Sequence, residues 1–315
     1  MRVALAFPGC HRRGGVERVM FECARFLGDR GHEVHAFAAE IDGEALGTRV
    51  QAHAVSVPRA ARLVAFGPRA RRAVDELRPA PEVLATFGVT SPRGGVIWAQ
   101  SVHRAWLEVS HRLRPLPGRL KQRVNPAHPI LLALENRCYA RRQFRHVIAL
   151  TEQVKADLAR FYAVPAEDVT VIPNGFSPAE FSMAARCRLR DQARRQLGYG
   201  PHDKVILFAA NELARKGFDE VAAAMARLQD ADIRLLVVGR AATATTAHRM
   251  RRLGLADRVR FLGPVDEMAR CYSAADVLAL PTQYEAWGLV VIEALTRAWG
   301  SAGNGLWWFW MPLGG

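Results

Sequence analysis

Short apolar runs alternate with amphipathic stretches along most of the chain. Residues 2–7, RVALAF, read as a buried strand. The loop PGCHRRGGVER follows, and Val19, Met20, Cys23, Phe26 and Leu27 then fall at helical spacing up to Gly31, a helix stop. EVHAFAA is a second strand. Strand, loop, helix and strand in that order predict a parallel sheet covered by helices. The alternation continues through EVLATF, GVIWAQ, a basic helical region over residues 120–144, HVIAL, a helix over Glu152–Tyr162 and VTVIPNG. Over residues 176–200 it lapses into turn formers and a run of charge, as an interdomain connector would. It restarts with strand KVILFAA, helix FDEVAAAMARL, strand IRLLVVG, a polar helix with Met250 and Leu253, and VRFLG. A helix over residues 265–274, a strand over 276–280 and a helix from about Gly288 complete the pattern. Two α/β halves joined by a linker predict two doubly wound domains with a cleft between them.

Composition narrows the class without changing the fold. The chain has 315 residues, 50% hydrophobic and 23% charged, as expected of a soluble protein with two domains of ~150 residues. Its net charge of +14 admits anionic substrates, an anionic membrane surface or nucleic acid. No nucleic-acid module or aromatic stacking platform is present, so nucleic acid is not expected as a partner. The five cysteines have neither metal-ligand nor redox spacing and read as free thiols in a reducing compartment. No run approaches the ~18 apolar residues of a membrane span. The expected location is the cytoplasm, with peripheral contact at the inner face of the cell membrane.

The chemistry concentrates in residues 279–296. There a strand ends in a Pro-containing loop carrying Glu285, and the next helix carries Glu293. A helix start offers unpaired amides and a positive dipole end between the two carboxylates. That suits a ligand with phosphates in the middle and sugars at both ends, as a nucleotide sugar has. Glu293 lies among Leu289, Val290, Val291, Ile292, Ala294 and Leu295, so its carboxylate needs a partner, either ribose hydroxyls or an internal arginine. In NELARKG (Asn211 to Gly217), Arg215 and Lys216 precede a helix start, where the dipole disfavours cations, so a bound diphosphate or a solvated loop accounts for them. Gly14 and Gly15 open the first helix, either as a close approach to a phosphate or as a plain turn. His103, after a strand, is a candidate for sugar contact or proton transfer, or a solvent-facing histidine. Asp230 and Asp232 read as an exposed turn on the side opposite the ligands. Arginines interleaved with leucines over residues 104–145 suit an anionic membrane, a phosphorylated acceptor or plain solvation.

In this order and spacing, GGVERVMFECARFLGDRGHEV, ALTEQVKADLARFYAVPAEDVTVIPNG, NELARKG and YEAWGLVVIEAL make the chain resemble the retaining glycosyltransferases of family 4, of GT-B architecture. The basic insert is most similar to that of lipopolysaccharide-core glucosyltransferases. The resemblance implies an N-terminal acceptor-side Rossmann-like domain over 1–180, a connector over 181–200 and a nucleotide-sugar-binding domain over 201–296. It implies catalytic roles for His103, Arg215, Lys216 and Glu285, and donor contacts from Gly14, Gly15, Asn211, Gly288, Leu289 and Glu293. It also implies a hexosyl transfer from a nucleotide sugar to a glycan or lipid-linked cell-envelope acceptor, with no metal and no further cofactor. Ala210 stands where many relatives carry an arginine, and the segment from Gln100 to His103 matches no single family pattern. After about Thr296 the Trp-rich tail, 297–315, departs from the family, as a truncated or frameshifted end would, leaving the second domain incomplete. The competing expectations are a catalytically defective remnant of such an enzyme and a basic nucleic-acid-binding protein.

Overall fold

The computed structural model describes residues 1–113, 122–176, 181–239, 243–282, 284–296 and 307–309. The chain divides into two compact units, Met1–Asn174 and Gly175–Gly315.

The main strands of unit 1 are β1 (Arg2–Ala6), β2 (Glu33–Ala38), β3 (Val50–Ala54), β4 (Val83–Phe87), β5 (Val96–Ala99), β6 (His146–Ala149) and β7 (Val169–Val171). Its main helices are α1 (Val16–Asp29), α2 (Arg62–Asp75), α3 (His103–Leu113), α4 (Ala127–Glu135) and α5 (Glu152–Tyr162). The strands form one parallel sheet in the order β3-β2-β1-β4-β5-β6-β7. The period of two along β1 decides what each face buries. Val3 and Leu5 pack on one face with Met20, Phe21 and Ala24 of α1. Ala4 and Ala6 pack on the other with Phe66, Ala70 and Val74 of α2. A strand covered on both sides must be apolar throughout, which is why RVALA does not alternate with polar residues. Strand order reverses beside β1, so the gap between β1 and β4 is the switch point of this sheet.

Unit 2 contains α6 (Met183–Gln196), β8 (Lys204–Ala210), α7 (Phe218–Arg227), β9 (Ile233–Gly239), α8 (Ala244–Arg252), β10 (Val259–Gly263), α9 (Met268–Ala274), β11 (Val277–Ala279), α10 (Leu289–Thr296) and β12 (Trp307–Phe309). Its parallel sheet runs β10-β9-β8-β11-β12, with the switch point between β8 and β11. Residues of α6 and α9 pack on one face with Val205 and Leu207. Residues of α7 and α8 pack on the other with Phe208. Both units are thus doubly wound α/β folds, as the alternation predicts.

The segment 181–200 is not a connector. Ser182 caps it by accepting from the Ala185 amide, and it runs as helix α6 built into unit 2. Its polar sequence conceals a buried face. Arg186, Arg190 and Arg194, one turn apart, reach the carbonyls at the end of α9 and the carboxylate of Asp276. Arg194 donates to the carbonyls of Ala274 (3.0 Å), Gly200 (2.6 Å) and Asp203 (2.5 Å). Asp276 also accepts from the Val205 amide at 2.8 Å. This clamp ties the amino ends of β8 and β11 together. Cations at the end of α9 also meet the negative end of its dipole.

Smaller differences have local causes. The basic region over 120–144 is helical over Ala127–Glu135, with one wider π turn over Asn136–Ala140; residues 114–121 lie outside the described residues. The helix expected over 265–274 starts at Met268, and the strand expected over 276–280 is Val277–Ala279. Asp230 is in the exposed turn expected of it, paired to Lys204 at 2.6 Å. All five cysteines are free thiols. Of the Trp-rich stretch, Trp307–Phe309 pair in parallel with β11, and the rest lies outside the described residues. Among the described residues no helix is long and apolar enough to cross a membrane.

Candidate functional site

In an open parallel sheet, ligands collect beyond the carboxyl ends of the strands at the switch point. In unit 2 that place is built by the loop after β8, from Asn211 to Gly217, and the loop after β11, from Leu280 to Gly288. The first loop closes on itself, the Lys216 amide donating to the Glu212 carbonyl (3.1 Å) and the Phe218 amide to that of Leu213 (3.0 Å). Gly217 lets the loops touch: at φ +82° its α-carbon sits so close that a side chain would meet the Pro281 carbonyl at 2.2 Å. Only glycine tolerates both the conformation and the approach.

The contact brings together residues far apart in sequence. The Lys216 ammonium donates to Glu285 Oε2, and both side chains are largely buried. Burial pushes the Lys216 ammonium below the ordinary lysine range, with the Glu285 carboxylate opposing and Arg215 adding to the fall. Arg215 pairs with Glu212 at 2.8 Å and donates to the Tyr284 carbonyl at 3.4 Å. Gly288, at φ +70°, turns the chain directly into α10 beside Glu285. Its carbonyl accepts from the Val291 amide at 2.8 Å, so the amides of Leu289 and Val290 begin the helix. Asn211 is exposed at the end of β8. A buried ammonium, a guanidinium and a helix start around one carboxylate can hold an anion and, through Glu285, adjacent hydroxyls.

Glu293 is also buried, 1% exposed, and faces a partner that neither open reading named. Tyr272 of α9 donates its hydroxyl to Glu293 Oε2 at 2.8 Å. An internal tyrosine thus satisfies part of what a ribose or an arginine was expected to.

Gly14, Gly15 and His103 belong to unit 1. Gly14 has φ +103°, and Gly15 caps α1 with open space where a side chain would be. His103 begins α3, its Nε2 3.2 Å from His128 Nδ1, with Trp106 packed on both rings. The residue holding this cluster is Glu135, unmarked in the reading of the motifs. It is 2% exposed and accepts from the amides of His103 (2.5 Å) and Arg104 (3.1 Å) and from the Tyr162 hydroxyl (2.6 Å). Burial pushes its carboxyl above the usual range, against the pull of those three donors. The reasoning that singles out Glu293, a carboxylate in an apolar run, applies equally to Glu135 in PILLALENR. Glu135→Ala strands three donors, and we expect it to lower the stability of unit 1 by about 2–4 kcal/mol, read by chemical denaturation. An unchanged midpoint would show that water replaces the carboxylate.

Residues 13–180 match the model of Glycosyltransferase Family 4, and residues 190–298 that of Glycosyl transferases group 1. A D-inositol 3-phosphate glycosyltransferase of Corynebacterium diphtheriae is 30% identical over 91% of this chain and 73% of its own length. One of the same name from Segniliparus rotundus is 33% identical over 47% of this chain and 34% of its own length. Among solved structures, WaaG, a glycosyltransferase involved in lipopolysaccharide biosynthesis, superposes with a TM-score of 0.76 at 22% identity, over 95% of this chain and 79% of that one. Anabaena HepE in complex with UDP-glucose gives 0.67 at 18% identity, over 95% and 79%. At these identities the two structures share the fold.

Proposed function

The chain belongs to glycosyltransferase family 4, and from that premise we propose that it moves a hexosyl group from a nucleotide sugar to a glycan or lipid-linked cell-envelope acceptor, with retention of anomeric configuration. The observation that carries the donor side is the buried Lys216–Glu285 pair where the loops after β8 and β11 touch. In this reading Lys216 and Arg215 receive the diphosphate, and the amides opening α10 meet it or the sugar. Glu285 accepts from hydroxyls of the transferred sugar. Glu293, its carboxylate oriented by Tyr272, holds the ribose. Asn211, at the end of β8, borders the donor. The bond between the anomeric carbon and the β-phosphate oxygen breaks, and the nucleoside diphosphate leaves with the electron pair. The acceptor hydroxyl bonds to that carbon on the same face, and its proton passes to the departing β-phosphate oxygen. The charge that grows on the leaving group falls on two side-chain cations already in place, so the proposal needs no metal. Arginines of the basic segment support peripheral contact with an anionic membrane.

Incubation with UDP-, GDP- and ADP-hexoses and acceptors of two kinds, lipid-linked glycans and inositol phosphates, tests this. We expect release of a nucleoside diphosphate coupled to glycosylation of a glycan or lipid-linked acceptor, with the donor's anomeric configuration kept in the product by NMR. Transfer confined to inositol phosphates would overturn the acceptor, an inverted anomer the stereochemistry, and no turnover with any donor the function.

A further inference from the structure

Unit 1 holds a cavity of about 680 Å³ whose lining includes none of the catalytic or donor-binding residues assigned above. It lies between α2, the loop following β4 and the end of α4, a volume typical of small-molecule sites. One side is apolar, from Val64, Pro68, Val89 and Leu134. The rest is basic: Arg71, Arg72, Arg93 and Arg137 all line it, and no aspartate or glutamate does.

The four arginines are not equivalent. Arg71 is tied down by Asp75 at 2.9 Å and by the Arg93 carbonyl at 3.1 Å, and Arg93 donates to Gln143. The guanidinium groups of Arg72 and Arg137, on different walls, have no hydrogen-bond or ion-pair partner among the described residues. Ser91, only 4% exposed, lines the same cavity with a hydroxyl that has no partner either. Arg72 and Arg137 thus add positive charge to the cavity without a counter-charge, which favours an anion there. A buried hydroxyl without a partner carries a cost of its own.

We propose that this cavity binds a soluble phosphomonoester whose organic part rests on the apolar wall. Two uncommitted guanidinium groups match the charge of about −1.5 to −2 that such a phosphate carries at neutral pH. Their planar forks suit its oxygens, and the Ser91 hydroxyl supplies a further donor. A compact molecule fills the volume. The donor-site reading plays no part in this, since every lining residue belongs to unit 1.

Calorimetric titration with phenyl phosphate tests it, with inorganic phosphate and benzyl alcohol as controls, on the full chain and on its Lys216→Ala variant. We expect phenyl phosphate to bind more tightly than either control and equally to both proteins. The exposed pair Arg72→Ala/Arg137→Ala is expected to weaken binding at least about tenfold, and Ser91→Ala about threefold, with folding unchanged by circular dichroism. Binding lost in Lys216→Ala would place the phosphate in unit 2 and overturn the proposal. So would equal affinity in the double variant, or binding confined to phosphatidic acid vesicles.

Discussion

Lys216→Ala is expected to lower kcat about 10²–10³-fold while leaving a folded protein. The side chain is a cation fixed where negative charge develops on the leaving diphosphate, and removing one such preorganised group costs a rate factor of about that size. Two effects must be kept apart. Losing the ammonium also leaves Glu285 largely buried without its partner, which destabilises the loops for reasons unrelated to chemistry. The double variant Lys216→Ala/Glu285→Gln removes the orphaned charge as well. It should regain thermal stability relative to Lys216→Ala and remain as slow or slower. If the double variant recovers activity together with stability, Lys216 is a structural cation and the donor assignment fails. Lys216→Arg, with a wider head group in the same buried space, should restore charge but only a part of the rate.

The largest effect on stability is expected at Arg194, whose side chain is 8% exposed. Arg194→Ala leaves three carbonyls and part of Asp276 without their donor, a loss of about 3–5 kcal/mol by analogy with broken buried pairs. Arg194→Lys should not rescue it, because one ammonium cannot span groups that a guanidinium fork reaches together. Hydrogen exchange resolves the two units. Protection should fall in β8 and β11, which the clamp joins, and hold in β1 and β4 of unit 1. Because the same two strands carry the candidate site at their other ends, donor affinity should fall too, although Arg194 lines no part of that site. Equal loss of protection in both units would contradict a clamp local to unit 2.

The parallel sheets could be read from the chain because both faces of their strands are covered. After a charged first residue, RVALA and KVILFAA are apolar without interruption, and each is followed by a loop and a helix. The resemblance implied separate roles for Lys216 and Glu285 in one donor site, but not that the two pair. The order of elements forces the loops after β8 and β11 to the switch point, whatever the residues between them. What escaped was polar burial set by distant groups. Helix α6 looks solvated because its buried face is arginine, and the carboxylate that accounts for this, Asp276, lies some eighty residues along. Glu135 escaped in the same way, its partners being amides and a hydroxyl roughly thirty residues away on either side. Hydropathy periodicity records which faces avoid water. It cannot record a charge that is buried because a specific partner awaits it.

Hydrogen–deuterium exchange with and without a nucleotide sugar tests the central assignment most directly. Addition of UDP-hexose, or of the GDP or ADP donor that supports turnover, should slow exchange in unit 2 at the loop from Asn211 to Gly217 and at Glu285 through the first turn of α10. The Lys216→Ala/Glu285→Gln variant should show no such protection. Protection that falls elsewhere in unit 2 and spares both loops, or that persists in the double variant, would contradict the account.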